Sequence, residues 1–189
     1  MSKKILWMFI MFVSLLSIIA PGPDRNWAGV RYCEGGQMSE NPFGVLEFLH
    51  WNHSWNNHKY ATHEDLEKAV RLMREAGVGI VRMDFLWQDI EPQPGEFHFE
   101  KYDFIVDLLR DNDIGILGIL DYTSDWASPQ GKWNYPAKND RKFIDYARKV
   151  VGRYQDKVKY WEIWNEPDSH TYWEPQDGLV AYCALPAYF

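Results

Sequence analysis

One segment of the 189-residue chain combines residue types that suit proton transfer. Residues 161–168 read Trp-Glu-Ile-Trp-Asn-Glu-Pro-Asp, an apolar run that leads into Asn165, Glu166 and Pro167. The run predicts a strand, and Pro167 ends it because proline has no N–H to donate to a neighbouring strand. A carboxylic acid held at a strand end is suited to general acid and base catalysis. Glu166 is therefore the first candidate catalytic residue.

Further candidates for binding accompany the other apolar runs. Arg82 lies within one run, Trp126 follows another, and His50 directly follows a third. His50 is followed by His53 and His58, but this spacing lacks the Glu and the helical setting of a zinc-protease motif, and no nearby Cys completes a structural site. We therefore predict no metal and no other cofactor, and we take His50 as a candidate substrate contact.

The elements that must position these side chains alternate along the chain. Thr62 and Asp65 give a capping signal for a helix whose apolar stripe ends before Gly77. Apolar stripes at 102–109 and 143–154 predict two further helices. Four short apolar runs predict strands around these helices, at 43–49, 78–85, 114–120 and 158–164. The predicted order is β-α-β-α-β-α-β.

This alternation predicts an α/β fold with parallel strands joined by right-handed crossovers. Two architectures fit, an open doubly wound sheet and a (β/α)8 barrel. No G-x-G-x-x-G or G-x-x-x-x-G-K-[ST] motif follows a predicted strand, so the phosphate cradle of the open sheet is missing. The segments after the strands are long and rich in His, Trp, Asn, Asp and Glu. Because a barrel builds its sites from such loops, we favour the (β/α)8 TIM barrel.

The motif at Trp164–Pro167 resembles the fourth-strand motif of the clan A glycoside hydrolases, retaining (β/α)8 glycosidases that include families 5, 39 and 42. The resemblance runs from about Phe43 to the C-terminus and implies hydrolysis of a β-linked glycoside by double displacement. The implied partner is an oligo- or polysaccharide. Four further stretches support the resemblance by their order and spacing: Val81–Asp84, Trp87–Asp103, Asp125–Ala127 and Tyr172–Pro175.

The resemblance implies a role for three matched residues. Glu166 is expected to be the general acid/base, which protonates the leaving oxygen and later activates water. Asn165 is expected to hydrogen-bond the substrate 2-hydroxyl, a contact that strengthens in an oxocarbenium-like transition state. Arg82 is expected to lie beneath the site, where its charge orients a nucleophilic carboxylate and keeps it ionised.

Aromatic residues are expected to surround this site. A rim formed by Trp126, Trp164 and Trp173 would stack on the apolar faces of sugar rings. The same rim would raise the pKa of Glu166 by removing water from its carboxyl group. Glu162 shares strand parity with Glu166, and we expect it to be a structural carboxylate with satisfied hydrogen bonds.

The resemblance also implies a second carboxylate, the nucleophile, on a seventh strand and about 5 to 5.5 Å from the acid/base. The predicted strands recur roughly every 35 to 45 residues, so four units fill residues 43–189, whereas a whole barrel needs about 250 residues. We therefore expect the N-terminal half of a TIM-barrel catalytic domain, inactive or nearly so by itself because the nucleophile strand is missing. A non-catalytic half-barrel that binds sugar and a half-barrel that homodimerises are the alternatives.

Residues 1–20 are typical of a secretory signal, in which two lysines precede an apolar run. At about 1.5 Å per residue, the run Ile5–Ala20 is short for a bilayer core of about 30 Å. We therefore expect a cleaved signal, a secreted protein and no stable membrane association, with an uncleaved anchor as the alternative. Residues 21–42 are expected to form an N-terminal extension, and the sequence leaves open whether Cys33 and Cys183 pair.

The composition excludes some partners. The net charge is −7, and Lys and Arg are scattered singly, so no basic stripe is available to neutralise phosphates. We therefore predict no nucleic-acid partner. Hydrophobic residues make up 46% of the chain and aromatic residues 16%, which indicates a folded globular domain.

Overall fold

A computed structural model describes residues 41, 43–52 and 57–174 of the chain. The expected signal at 1–20, most of the expected extension at 21–42, and both cysteines lie outside the described residues. No helix among the described residues combines the length and the apolar character needed to cross a membrane. The elements in chain order are β1 (Gly44–Leu46), α1 (His63–Glu75), β2 (Ile80–Leu86), α2 (Trp87–Ile90), α3 (Glu100–Asp111), β3 (Gly115–Asp121), α4 (Asp140–Tyr154) and β4 (Tyr160–Ile163).

The four strands form one parallel sheet in the order β1-β2-β3-β4. The β2–β3 pairing runs from Ile80 opposite Gly115 to Leu86 opposite Asp121. Each strand therefore lies beside the next strand in the sequence, and at least one helix connects them. This is the architecture of the first four βα units of a (β/α)8 barrel, and the predicted fold class is confirmed.

Local signals set the helix ends. The Thr62 hydroxyl accepts a hydrogen bond from the backbone N–H of Asp65, at 3.2 Å, and the Asp65 carboxylate accepts one from the Thr62 N–H, at 3.0 Å. This capping box starts α1 as the sequence predicts. Asn139 caps α4 in a similar way by accepting from the Arg141 N–H at 3.0 Å. Gly77 follows α1 with φ of 78°, a conformation that costs glycine little.

The two faces of β2 have different surroundings because successive side chains alternate across a strand. Val81, Met83 and Phe85 are fully buried. The Phe85 ring lies 5.3 Å, between centroids, from both Tyr102 on α3 and Tyr154 on α4. This face therefore forms the core between the sheet and the helices. The opposite face, which we call the barrel-interior face, carries the remaining side chains of β2, at positions 80, 82, 84 and 86. Partly or largely exposed side chains on that face include Leu46, Ile80, Arg82, Leu86, Leu117, Tyr160 and Glu162.

Some boundaries differ from the prediction. β1 has only three residues, because its strand pairing covers Gly44–Leu46 and a turn begins at Leu49, within the predicted extension. The short helix α2 was not predicted, because the Pro and Gly residues that follow it indicate a turn. Neither difference changes the order of the elements.

Candidate active site

The chain makes a strained bend directly after β4. Trp164 and Glu166 both have positive φ, 66° and 45°, a region that costs a non-glycine residue about 1–3 kcal/mol. Backbone and side chain hold Trp164 in place: its N–H donates to the Leu120 carbonyl at 3.0 Å, and its indole Nε1–H donates to the Tyr172 carbonyl at 2.8 Å. Strain of this kind clusters at functional sites. The bend carries Asn165 and Glu166, the two residues that the sequence favours most.

Arg82 on β2 reaches across the sheet to this bend. Its Nε donates to Oε2 of Glu162 at 2.7 Å, and its Nη2 donates to Oδ1 of Asn165 at 3.1 Å. The Asn165 amide oxygen is thereby committed to Arg82, so the amide N–H₂ group points elsewhere. Burial raises the pKa of the Tyr122 hydroxyl well above its usual range, and the nearby Asn165 amide opposes this rise. Glu162 is the carboxylate that Arg82 orients among the described residues.

Two carboxyl groups that sequence reasoning missed are buried on the barrel-interior face. Asp84 is 4% exposed and Asp121 is fully buried. Burial raises the pKa of Asp84 to about 6; Arg82 opposes this rise, and Glu162 adds to it. Burial raises the pKa of Asp121 well above its usual range, and the nearby Asp84 charge adds to the rise. The sequence offered one signal for them. Asp84 and Asp121 lie near the ends of apolar runs, and Asp84 is two residues from Arg82, which places both side chains on the same face of β2.

His50 lies inside the fold rather than at its surface. Its ring is fully buried, stacks on Tyr102 with 5.9 Å between centroids, and places Nε2 3.8 Å from Oδ2 of Asp84. The side chain has no exposed surface in this structure, and a substrate contact by His50 stays a prediction. The His50 side chain packs against Tyr102 on α3 rather than in an exposed loop.

The expected tryptophan rim is wrong for two of its three members. Trp164 is 4% exposed and Trp173 is fully buried, with their rings packed against each other at 4.8 Å between centroids. Trp126 keeps a partly exposed ring, whose Nε1–H donates to the Glu91 carbonyl at 2.8 Å. Glu166 is itself exposed, so these indoles do not enclose it. A substrate contact by Trp126 stays a prediction.

The arrangement therefore consists of the exposed Glu166 carboxyl group, the Asn165 amide that Arg82 orients, and the buried carboxyl groups of Asp84 and Asp121. The exposed Glu166 can exchange protons with a hydroxyl or ether oxygen, and Asn165 offers a donor beside it. Within the ranges that the structure describes, no group of three or more His, Cys, Asp or Glu residues is placed to hold a metal ion.

Comparison with known proteins finds glycoside hydrolases and a related galactosyltransferase among the similar sequences. Residues 54–130 match the family model of glycoside hydrolase family 42, described as beta-galactosidase. The chain is 30% identical over 134 residues to the chloroplastic galactolipid galactosyltransferase SFR2 of Arabidopsis thaliana, covering 62% of this chain and 21% of that protein. It is 34% identical over 80 residues to endo-1,4-beta-xylanase 2 of Claviceps purpurea, covering 40% of this chain and 24% of that protein.

Two solved structures share the fold of this chain. The family 39 glycoside hydrolase of Xanthomonas axonopodis pv. citri superposes with a TM-score of 0.53 at 23% identity, covering 77% of this chain and 31% of that chain. The beta-galactosidase of Halorubrum lacusprofundi superposes with a TM-score of 0.50 at 25% identity, covering 69% and 22%.

This chain is similar to the clan A glycoside hydrolases. The family match ends at residue 130, before the motif at 164–167, so the two signals are independent and the predicted resemblance is confirmed. The chain spans about a fifth to a quarter of the length of the two curated relatives.

Proposed function

We propose that this chain carries the acid/base half of a retaining glycosidase site that hydrolyses O-glycosyl bonds in an oligo- or polysaccharide. The observation that supports this most is the placement of Glu166. Its carboxyl group is exposed just after β4, beside an Asn165 amide that Arg82 orients. Sites of (β/α)8 enzymes lie at this end of the strands.

Each side chain has a defined task in the proposed reaction. The protonated Glu166 donates its proton to the glycosidic oxygen as the bond to the sugar breaks, and the resulting carboxylate later removes a proton from water. Because the Asn165 amide oxygen accepts from Arg82, its nitrogen is the atom that meets the 2-hydroxyl of the substrate. The Arg82–Glu162 pair fixes the guanidinium with a contact of 2.7 Å and thereby the amide orientation.

Double displacement also needs a nucleophilic carboxylate about 5 to 5.5 Å from the acid. Asp84 and Asp121 do not serve, because both side chains are buried. The resemblance assigns the nucleophile to a seventh strand, and the described residues form four strands. We therefore propose that the nucleophile is supplied from outside these four units and that the chain alone has little activity.

Azide, an external nucleophile, tests this proposal. With sodium azide present, the purified chain is expected to convert phenyl β-glycosides into α-glycosyl azides, because azide attacks from the face that the missing carboxylate would occupy. Phenyl is a poor leaving group, so Glu166→Gln is expected to lower this rate by about 10²–10⁴-fold. Dinitrophenyl glycosides need no proton donor, and their rate is expected to change far less.

The exposed neighbour Asp168 provides a matched control, since Asp168→Asn removes a carboxylate from the same loop. Equal loss of activity in Glu166→Gln and Asp168→Asn would contradict the assignment. Turnover by a monomer of this chain without azide would contradict the proposal that the nucleophile is supplied from outside the four units.

Sugar binding without cleavage is the second candidate function. It is favoured by Trp133, which is 43% exposed after β3. Sugar binding by the chain that Glu166→Gln leaves unchanged, together with no azide-dependent cleavage, would select this alternative.

A further inference from the structure

Helix α4 carries a basic surface on its outer side. Arg141, Lys142, Arg148 and Lys149 are all exposed there, and we call these four residues the basic ridge. We infer that the basic ridge binds an acidic polysaccharide, one that carries carboxylate or sulfate groups. No residue of the ridge belongs to the proposed active site, and only the choice of a polysaccharide rests on the proposed function.

The helical conformation gathers these cations on one side of α4. The opposite side is buried in the core, at Phe143, Tyr146, Ala147, Val150 and Tyr154. The ridge consists of two Arg-Lys pairs, at 141–142 and 148–149, which are seven residues apart. Seven residues make about two helical turns, so the second pair lies about 10.5 Å from the first along the same face. The expectation that the chain has no basic stripe is therefore wrong for this helix, because helical spacing brings cations that are separated in the sequence onto one face.

The cations at the two ends of α4 differ in their partners. Near the C-terminal end, the Arg153 Nε donates to the Asp103 carboxylate on α3 at 2.7 Å, so this guanidinium is committed to a neighbouring helix. Arg141, Lys142 and Lys149 form no ion pair with any residue that the structure describes. A ligand can therefore bind these three cations without breaking an ion pair within the described part of the chain.

A surface cleft adjoins each flank of the ridge. Arg141 and Arg148 line a cleft of about 640 Å³, and Lys142 and Lys149 line another of about 300 Å³. Both volumes fall within the range for ligand pockets, about 300–1,000 Å³. At the smaller cleft, the Lys149 ammonium lies 4.2 Å from the centroid of the Phe97 ring, which holds this long side chain against an apolar surface. Each pair of like cations therefore faces a concave space in which a charged sugar ring can lie.

Two acidic residues among the cations favour a polysaccharide over other polyanions. Asp140 and Asp145 are exposed and line the larger and the smaller cleft, respectively. Duplex DNA carries one negative charge per about 1.7 Å of its axis, so it would bring phosphates against these carboxylates. An acidic polysaccharide has hydroxyls between its anionic groups, and these can donate to the two carboxylates while Arg and Lys bind the anionic groups. The predicted absence of a nucleic-acid partner stays a prediction.

Calorimetric titration of the purified chain with polygalacturonate and with heparin tests the inference, with neutral dextran as the uncharged comparison. The double variant Lys142→Gln/Lys149→Gln is expected to weaken binding of the better polyanion about tenfold, because two exposed ion pairs are lost. Lys68→Gln/Arg71→Gln removes the same charge from exposed positions on α1 and is expected to change the affinity by less than about twofold. Asp145→Asn is expected to strengthen binding about two- to threefold, because it removes a repelling carboxylate. Far-ultraviolet circular dichroism checks that each variant keeps its helices.

No binding of either polyanion, equal binding of dextran, or equal weakening by the two double variants would overturn the inference. Tighter binding of duplex DNA, or of vesicles of phosphatidylcholine and phosphatidylglycerol in equal parts, would overturn it too, because the partner would then belong to another class. Glu166→Gln is expected to leave the affinity for the polyanion unchanged. If Glu166→Gln leaves azide-dependent cleavage intact while Lys142→Gln/Lys149→Gln loses affinity, the proposed acid/base is wrong and the basic ridge stands as a binding site.

Discussion

Replacing Asp84 with Asn is expected to stabilise the protein at neutral pH. The folded protein raises the pKa of this carboxyl group from its usual 3.8 to about 6, chiefly by burial. Because the folded state then binds protons more tightly than the unfolded state, the free energy of unfolding falls as pH rises between about 4 and 6. A difference of about 2 pKa units corresponds to about 3 kcal/mol, lost in full above pH 6. Asn stays neutral and avoids this loss.

The measurement is urea unfolding of the parent protein and Asp84→Asn at pH 4 and pH 7.5. The variant is expected to be more stable by up to about 3 kcal/mol at pH 7.5 and nearly equal to the parent at pH 4, with unchanged m-values. Asp125→Asn, at an exposed position after β3, is the control and is expected to show no such pH dependence. A variant that is less stable than the parent at pH 7.5 would refute the reasoning, because the Asp84 carboxylate would then be stabilised by Arg82 and His50 more than burial penalises it.

Substitutions at four further positions test the fold and the site. Gly118→Ala is expected to lower the free energy of unfolding by about 1–3 kcal/mol, since a Cβ there would lie 2.5 Å from an indole carbon on β4. Gly152→Ala on α4 is expected to raise it by up to about 1 kcal/mol, because a Cβ there meets nothing within 4 Å. Thermal melts measure both effects. Arg82→Met is expected to lower azide-dependent cleavage more than it lowers the affinity for sugar, because it frees the Asn165 amide; equal effects on both would contradict this positioning role. Thr62→Ala is expected to destabilise by about 1 kcal/mol while Thr62→Ser does not, as measured by chemical unfolding.

The order of elements and the helix ends were predictable because they depend on local chemistry. The capping box at Thr62 and the apolar stripes act within a few residues of the chain, and the parallel sheet follows from the alternation of strands and helices. The bend that carries Glu166 was predictable in position, since Pro167 marks it. Its positive φ values were not, because Trp164 and Glu166 are residue types that rarely adopt them.

The parts that the sequence did not reveal depend on contacts between distant segments. Burial of Trp173 results from a loop that folds back on Trp164, and burial of His50 results from packing against Tyr102. The burial of Asp84 could not be predicted, because which face of β2 points into the barrel is decided only when the helices pack on the other face. Secondary-structure patterns describe single elements, and such side-chain environments are set by their assembly.

The left-handed bend after β4 has a consequence for how specificity can change. The direction of the Glu166 carboxyl group is set by main-chain torsions, whereas Trp133 and Tyr172 lie on separate loops after β3 and β4. For the proposed site, we expect that exchanging an aromatic residue on those loops changes the surface offered to a sugar without changing the direction of the Glu166 carboxyl group. Under the proposed function, the proton donor and the residues that meet the sugar thus belong to different parts of the chain, so substrate preference is the property to redesign first.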